Sequence, residues 1–390
     1  MTTSSLNISN VVWQSVKGLI YLLLIFGYGF TKINVIGSVY LYDLFLLLLF
    51  IFSLIKLYKI RGIRELLVFM TFGLAYLAFS LYYGDGVIYV IRQYMIVGYL
   101  TLIFFIFQKI KHKSGDIIHF LLKVSREAFI LQILYLGFML FSGKSLFSDF
   151  NYLSPVAVIL IPVYNARILI YDKSGVFKVL KVLMVLVVST MLGHSSAFLA
   201  VMVTIFAFFV LKISPKQFLI AILIVLASVI SMYFVLPQFR DVNANWRLFY
   251  WGIGMKNTLS TFLMLGNGFG APFINEEQIQ EMIKVIGASN DFLGTADERY
   301  IKAYHNSFIT MFFHMGLFVL LLVKPYIKGI KNLVFANKNK SLNFLIVSLL
   351  GISTWASFNV ILELPHSSLV FWIIYLLTYN QLILSSYEKP

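Results

Sequence analysis

The residues best suited to chemistry lie in one stretch, Pro237 to Asn306, the only long segment that is not continuously hydrophobic. It contains Arg247 within an aromatic run, glycines around Gly268, and His305 beside Asn306 where the next hydrophobic segment begins. A guanidinium binds phosphate oxygens bidentately. Histidine is the side chain best suited to moving a proton near neutral pH. These residue types predict a site for an anionic, phosphate-bearing substrate.

Two further arginines are candidates for the same ligand. Arg92 lies about one and a half turns inside a hydrophobic run, where a charge is costly and indicates function; the alternative is a side chain that extends to the lipid interface. Arg240 lies seven residues before Arg247, so the two would share a face if one helix contained both. The alternative for both Arg240 and Arg247 is a structural arginine stacked on aromatic rings.

A second candidate site lies at Gly193-His194-Ser195-Ser196, which joins two short hydrophobic segments with almost no loop. Such a turn can lie below the outer surface, in a dip where His194 and Ser195 meet a lipid-borne substrate. The alternative is an ordinary tight helical hairpin.

The run Gly266-x-Gly268-x-Gly270 is not a dinucleotide fingerprint, because Pro272 follows where the phosphate-binding helix should begin. It predicts a turn with unusual backbone angles, or a close approach of backbone to a sugar or phosphate. His314 lies nine residues after His305, on the opposite helix face, and is predicted to be a packed or hydrogen-bonded core residue. The spacing of histidines and carboxylates predicts no metal site and no cofactor.

The elements that position these residues are membrane helices. The chain has 390 residues, of which 60% are hydrophobic and 12% charged, and its repeated apolar runs of about 20 residues predict spanning helices. The sequence therefore predicts an all-α polytopic membrane protein, a single domain over 1–390 with one outer loop, 237–303, between spans nine and ten. The twelve predicted spans are roughly 11–30, 35–56, 64–82, 87–107, 118–142, 153–171, 177–192, 195–212, 217–236, 304–323, 341–362 and 366–385.

Charge gives the orientation of these spans. Twenty of the 31 basic residues fall in five short connections, whereas 237–303 holds six basic and seven acidic residues. This segregation is the positive-inside pattern. It predicts cytoplasmic termini and an outward-facing loop, and it explains the net charge of +15 without a nucleic-acid partner. Within the loop, Asn243 or Asn245 is predicted to cap a helix through Trp246–Thr258, and Asn275 a second, amphipathic helix. That helix would lie on the membrane surface or on the outer mouth of the bundle.

With these features the chain resembles the bacterial O-antigen polymerase and O-antigen ligase superfamily, the Wzy and WaaL proteins. The resemblance covers the twelve spans and the loop between spans nine and ten. Three local matches carry it: Leu192–Leu199 resembles the family's glycine–serine–arginine turn, Asn245–Trp251 with Leu265–Gly270 its arginine–tryptophan segment and glycines, and Ala303–Phe308 its histidine–asparagine motif. This chain departs from the family in having Ser196 where an arginine is common.

The resemblance implies a metal-independent glycosyltransferase of the inner membrane that acts on undecaprenyl-pyrophosphate-linked glycans. Arg247 would hold the pyrophosphate and His305 would be a catalytic or binding residue, with Arg92 or Arg240 supplying the charge that Ser196 lacks. A polymerase of O-antigen or a related surface polysaccharide is favoured, with a chain-length regulator and a flippase as expected partners.

Other functions remain open at this point. A ligase would use the same donor and transfer it to lipid A core. A flippase or transporter usually shows paired broken helices in two halves, and this sequence shows one off-centre loop. A large polyprenyl-phosphate-sugar transferase would carry acidic residues in a long first outer loop, which here is only about 31–34.

Overall fold

The fold was obtained as a computed structural model of the full chain. It describes residues 8–31, 33–36, 39–55, 64–83, 86–143, 152–193, 195–211, 216–217, 242–287, 297–335 and 339–387. The regular secondary structure of this part of the chain is helical apart from one two-stranded antiparallel hairpin, β1 (Asn34–Ile36) with β2 (Val39–Tyr40). The predicted all-α class is confirmed at this level.

The described residues form fifteen α-helices, interrupted by short 3₁₀ turns. They are α1 (Ile8–Thr31), α2 (Leu41–Leu54), α3 (Arg64–Tyr83), α4 (Val87–Ile110), α5 (Ser114–Phe141), α6 (Pro155–Tyr171), α7 (Val176–Met191), α8 (Ser195–Val210), α9 (Val242–Leu259), α10 (Glu276–Ile286), α11 (Glu298–Ile301), α12 (Ser307–Met315), α13 (Lys324–Val334), α14 (Lys340–Ala356) and α15 (Pro365–Tyr387).

Several of these helices are apolar enough to cross a membrane. Three stretches are also long enough, namely Ile8–Gly27, Arg64–Tyr83 and Val87–Phe141, and a fourth exists if Ser307–Leu322 and Lys324–Val334 form one bent span. Helices lie at eleven of the twelve predicted spans, although four of them, α2, α6, α8 and α14, are shorter apolar helices. The ninth predicted span, 217–236, lies almost wholly outside the described residues. The structure therefore supports a membrane protein and leaves the count of twelve as a prediction.

The main core forms around α15, which packs against α14, α4 and α6. Every residue from Val370 to Leu377 is buried, so this helix is enclosed on all sides. A helix that is hydrophobic all round belongs in such a central position. The core leaves the starts of α8, α12 and α15 side by side, because Asn359, just before α15, contacts both Ser196 and Ser307.

A second, smaller core forms where α9 packs on α12 and α10 packs on α9. Ile279 and Met282 of α10 are buried there, while Glu277 and Glu281 are exposed. Asn275 caps α10 as predicted, since its Oδ1 accepts from Gln278 N at 2.9 Å. The amphipathic helix therefore lies on the bundle, one of its two predicted positions.

The glycine run joins this second core to a break in a helix. After α12 the backbone turns at Gly316, where φ is 53°, before a 3₁₀-helix continues to Leu322. The amides of Asn267 and Gly268 donate to the carbonyls of Phe313 and His314, at 2.8 and 3.1 Å. A break orphans carbonyls near a helix end, and the glycine run supplies their donors.

Two glycines make this close approach possible. A Cβ on Gly316 would lie 2.0 Å from Met264 O, and one on Gly266 would lie 2.6 Å from His314 O. Both residues also have φ in the left-handed region, where side chains other than glycine are strained. The predicted turn with unusual backbone angles is confirmed.

Replacing Gly316 should therefore destabilise the fold. Gly316→Ala is expected to lose at least about 2 kcal/mol, because the methyl group meets a backbone oxygen and φ is unfavourable. The measurement is the thermal unfolding midpoint of the purified protein in detergent, followed by tryptophan fluorescence. Gly137→Ala is the matched control, since a Cβ there meets nothing within 4 Å and alanine favours a helix. Equal midpoints for the two variants would contradict the close packing of Gly316 against the backbone of Met264.

Candidate functional site

Helix α9 holds the segment that carries His305. Tyr250 Oη donates to Lys302 O at 2.5 Å, and Trp251 Nε1 donates to Tyr304 O at 2.7 Å. Gly254, one turn further along this face, allows the Tyr304 ring to approach, since a Cβ there would lie 2.8 Å from it. The aromatic run around Arg247 therefore fixes the backbone on both sides of Ala303.

His305 occupies a strained position at the end of this segment. Its φ is 50°, unusual for a residue other than glycine, and its amide donates to Ala303 O at 2.9 Å. The imidazole meets the Trp246 ring edge-to-face, with centroids 5.4 Å apart. Strain of this kind concentrates at functional sites, where the surroundings hold an otherwise unfavourable conformation.

The electrostatic environment keeps His305 neutral. Burial, with the nearby charge of Arg247 as a second cause, lowers the pKa of His305 to about 4. Arg247 itself is half-buried one residue after Trp246. The structure thus brings together two predicted site residues, a permanent cation and a neutral imidazole.

Asn306 and Ser307 begin α12 directly after His305. The Asn306 side-chain oxygen accepts from the amides of Phe308 and Ile309, both at 3.1 Å, so it is the helix N-cap. Ser307 Oγ lies 2.6 Å from a carboxylate oxygen of Glu363, Oε2, to which it donates. The predicted histidine–asparagine motif is therefore followed by a serine that binds the carboxylate of Glu363, in the turn before α15.

Glu363 is a titratable residue that sequence reasoning missed. Burial raises its pKa to about 7, although the hydroxyls of Ser307 and Thr310 favour the ionised form. The side chain as a whole is half-buried, but its second oxygen, Oε1, is fully enclosed and has no hydrogen-bond partner among the described residues. The available signal was a lone carboxylate between the last two predicted spans, at their outer ends.

Asn359 connects this carboxylate, through Ser307, to the first turn of α8. Its Nδ2 donates to Ser196 Oγ at 2.9 Å, and its carbonyl lies 3.0 Å from Ser307 Oγ. Ser196, where the resembled family often has arginine, is buried, whereas Ser195 is exposed. Ser196, and not Ser195, is therefore the residue that Asn359 links to the start of α12.

The other predicted site residues lie apart or outside the described chain. Arg92 is exposed on α4 together with Ile88 and has no ion pair or hydrogen bond among the described residues. This placement favours a side chain at the lipid interface. Arg240 and His194 fall outside the residues that the structure describes, so their roles stay predictions.

The backbone of Gly268 is already used within the fold. Its amide donates to His314 O, and its carbonyl lies 2.6 Å from His314 Nδ1. His314 is fully buried, which confirms it as a hydrogen-bonded core residue. A sugar or phosphate would have to displace these contacts to reach Gly268, so the geometry favours its role as a turn.

The described residues contain no group of three histidines or carboxylates that could hold a metal ion. Comparison with known proteins adds no family: no protein-family model matches the chain, and no match is found among curated proteins. The site therefore has to be interpreted from its own geometry.

The protonation of Glu363 should be visible in the stability of the protein. With a raised pKa, its contribution is complete below its ordinary pKa and is lost as pH rises through about 7. Glu363→Gln should therefore remove a fall of a few degrees in the unfolding midpoint between pH 5 and 8. The measurement is thermal unfolding across that range. Glu281→Gln, on the exposed side of α10, should keep the wild-type slope, and a wild-type slope in Glu363→Gln would contradict the assignment.

Proposed function

We propose that this protein is a polymerase that joins undecaprenyl-pyrophosphate-linked oligosaccharide repeat units into O-antigen or a related surface polysaccharide. The observation that carries the proposal is the guanidinium of Arg247 near the neutral imidazole of His305, which packs against the adjacent Trp246. The reaction needs a cation for a pyrophosphate leaving group and an acceptor for one proton.

The chemistry follows from these two requirements. The oxygen of an acceptor sugar hydroxyl attacks the anomeric carbon of the donor, and the bond from that carbon to the pyrophosphate oxygen breaks. The lipid pyrophosphate leaves with the electron pair. Arg247 stabilises the charge that develops on it, an effect that is strong where water is scarce. The hydroxyl proton passes to a general base.

Two residues near the start of α12 are suited to accept that proton. His305 is neutral at pH 7 and weakly basic, because burial and, as a second cause, the nearby cation of Arg247 disfavour the imidazolium. A bound pyrophosphate would oppose the second cause and raise the pKa of His305. Glu363, with a pKa of about 7, is already matched to the operating pH.

The proposed location is the bacterial inner membrane, where the lipid-linked substrate would lie. The apolar helices support a membrane protein, and the segregated basic residues favour cytoplasmic termini with the Arg247 site at the outer face. Its partners would then be the lipid-linked glycan, the bilayer, a chain-length regulator and a flippase.

Removing the cation should abolish polymerisation. Arg247→Ala is expected to lose at least about a hundredfold in turnover, because transition-state charge is left without its partner. Arg247→Lys should recover little, since a point charge cannot reproduce bidentate phosphate geometry. The measurement is polymerisation of purified lipid-linked repeat units by each variant.

The matched control is Lys256→Ala, which removes an exposed cation from the same helix and should leave turnover unchanged. Full activity of Arg247→Ala would overturn the proposal. Glycan transfer only to lipid A core would identify a ligase, and transbilayer movement of intact donor without new glycosidic bonds would identify a flippase.

The pH dependence separates the two candidate bases. If His305 accepts the proton, kcat/KM should fall in acid near pH 4, because it reports the pKa of His305 in the free enzyme. The value of kcat should fall at a higher pH, because it reports the pKa of His305 in the donor complex. His305→Ala should then lose about a hundredfold to ten-thousandfold in turnover and its acid limb. If Glu363 is the base, the limb should lie near pH 7 and should disappear in Glu363→Gln. Retention of turnover and of the limb by both variants would exclude both residues.

A further inference from the structure

The segment from α9 to Ile274 does not remain at the level of the outer helix ends. Tyr76 of α3 donates from Oη to Leu265 O at 2.6 Å, and Ser80 of the same helix accepts from Phe269 N at 2.9 Å. On α4, Gln93 Nε2 donates to Ala271 O at 3.0 Å. These partners lie on helices that are apolar and long enough to cross the membrane.

Two independent helices give the depth of these contacts. Tyr76 lies seven residues before the end of α3 at Tyr83, which is about 10 Å at 1.5 Å per residue. His314, which binds Gly268, lies seven residues after the start of α12 at Ser307, again about 10 Å. The hydrocarbon core of a bilayer is about 30 Å thick. The lower end of the segment therefore lies about a third of the way across, measured from the outer helix ends.

The orientations of α3 and of the broken span that begins with α12 are consistent with each other. Glu65, at the first turn of α3, forms an ion pair with Lys324 at the start of α13. The other end of α3, at Tyr83, and the start of the broken span, at Ser307, thus lie on the face that carries His305. The contacts at Tyr76 and Ser80 are reached from that face.

The part of the segment that lies furthest from the outer helix ends is apolar and is exposed on the surface of the protein. Phe262, Leu263 and Met264 form its tip, and their exposed fractions are 80%, 67% and 40%. Leu263 and Met264 have φ near +50°, an arrangement that costs energy for such residues. No charged residue occurs between Lys256 and Glu276. A contiguous apolar patch of this kind is unfavourable in water.

Several backbone amides around the tip are paired within the turn itself. The amides of Thr261, Met264 and Leu265 donate to carbonyls within the same turn, at 3.0 to 3.1 Å. Gly266 N donates to the Thr261 hydroxyl at 3.1 Å, and that hydroxyl donates to Thr258 O at 2.6 Å. Polar backbone groups at membrane depth must be paired internally in this way. Lys256, more than one turn above the tip, can extend its charged end towards the outer surface.

We propose that residues 242–274 form a re-entrant membrane segment that enters from the face carrying His305 and places Phe262–Met264 among the acyl chains of the bilayer. This replaces the expectation that the whole of 237–303 lies outside the membrane. The proposal does not depend on the polymerase assignment.

The test measures depth directly and exploits the absence of native cysteine. Phe262→Cys and Met264→Cys are each labelled with a nitroxide in protein reconstituted into phospholipid vesicles. Electron paramagnetic resonance then compares collisions with oxygen, which partitions into lipid, and with a water-soluble nickel chelate. Leu74→Cys, on the exposed face of α3, is the membrane reference, and Glu277→Cys, exposed on α10, is the water reference.

Both tip labels should resemble Leu74→Cys, with oxygen collisions favoured over nickel collisions by severalfold. Nickel access equal to that of Glu277→Cys would overturn the proposal and place the tip in water. Low access to both reagents would also overturn it, because a second protein copy or other protein would then cover the tip. Two separate tip positions keep the test decisive if one variant fails to fold, and a protein without polymerase activity gives the same readout.

Discussion

The structure depends on the way a broken helix is completed by another part of the chain. Where the backbone turns at Gly316, the carbonyls of Phe313 and His314 receive amides from Asn267 and Gly268 instead of from their own helix. In a membrane such groups have no water to bind, so the break is tolerable only while the glycine run is present. The same contacts fix α12, and with it the position of His305 at its start.

The site is built from this anchor outward. The glycine run continues into Phe273, whose carbonyl accepts from Tyr304 Oη at 2.5 Å, while α9 holds the backbone of Lys302 and Tyr304 from the other side. His305 is thereby kept in a left-handed conformation that an isolated chain would avoid. A helix cap at Asn306 and the bond from Ser307 to Glu363 complete the arrangement. The segment that carries His305 is therefore positioned by aromatic side chains that donate hydrogen bonds to backbone carbonyls.

Local signals in the sequence were sufficient for some of these features and insufficient for others. Asn275 as a helix cap, His314 as a core residue and the glycine run as a turn depend on residues close in sequence, and each was predicted. The inward course of the glycine run was not, because it depends on Tyr76 and Gln93, more than 170 positions away. Hydropathy averages along a window and cannot register such contacts. Glu363 was missed for a related reason: its altered pKa arises from burial and from Ser307, neither of which is visible at its own position.

Electrostatics explains why this arrangement suits an anionic ligand. Burial is the main reason why the imidazole of His305 stays neutral, and protonation of His305 would also place a second positive charge near Arg247. If the site binds pyrophosphate as proposed, the anion would offset the effect of Arg247 and raise the affinity of His305 for a proton. A neutral ligand would not offset it, so on this proposal the charge pattern favours phosphate-bearing lipids.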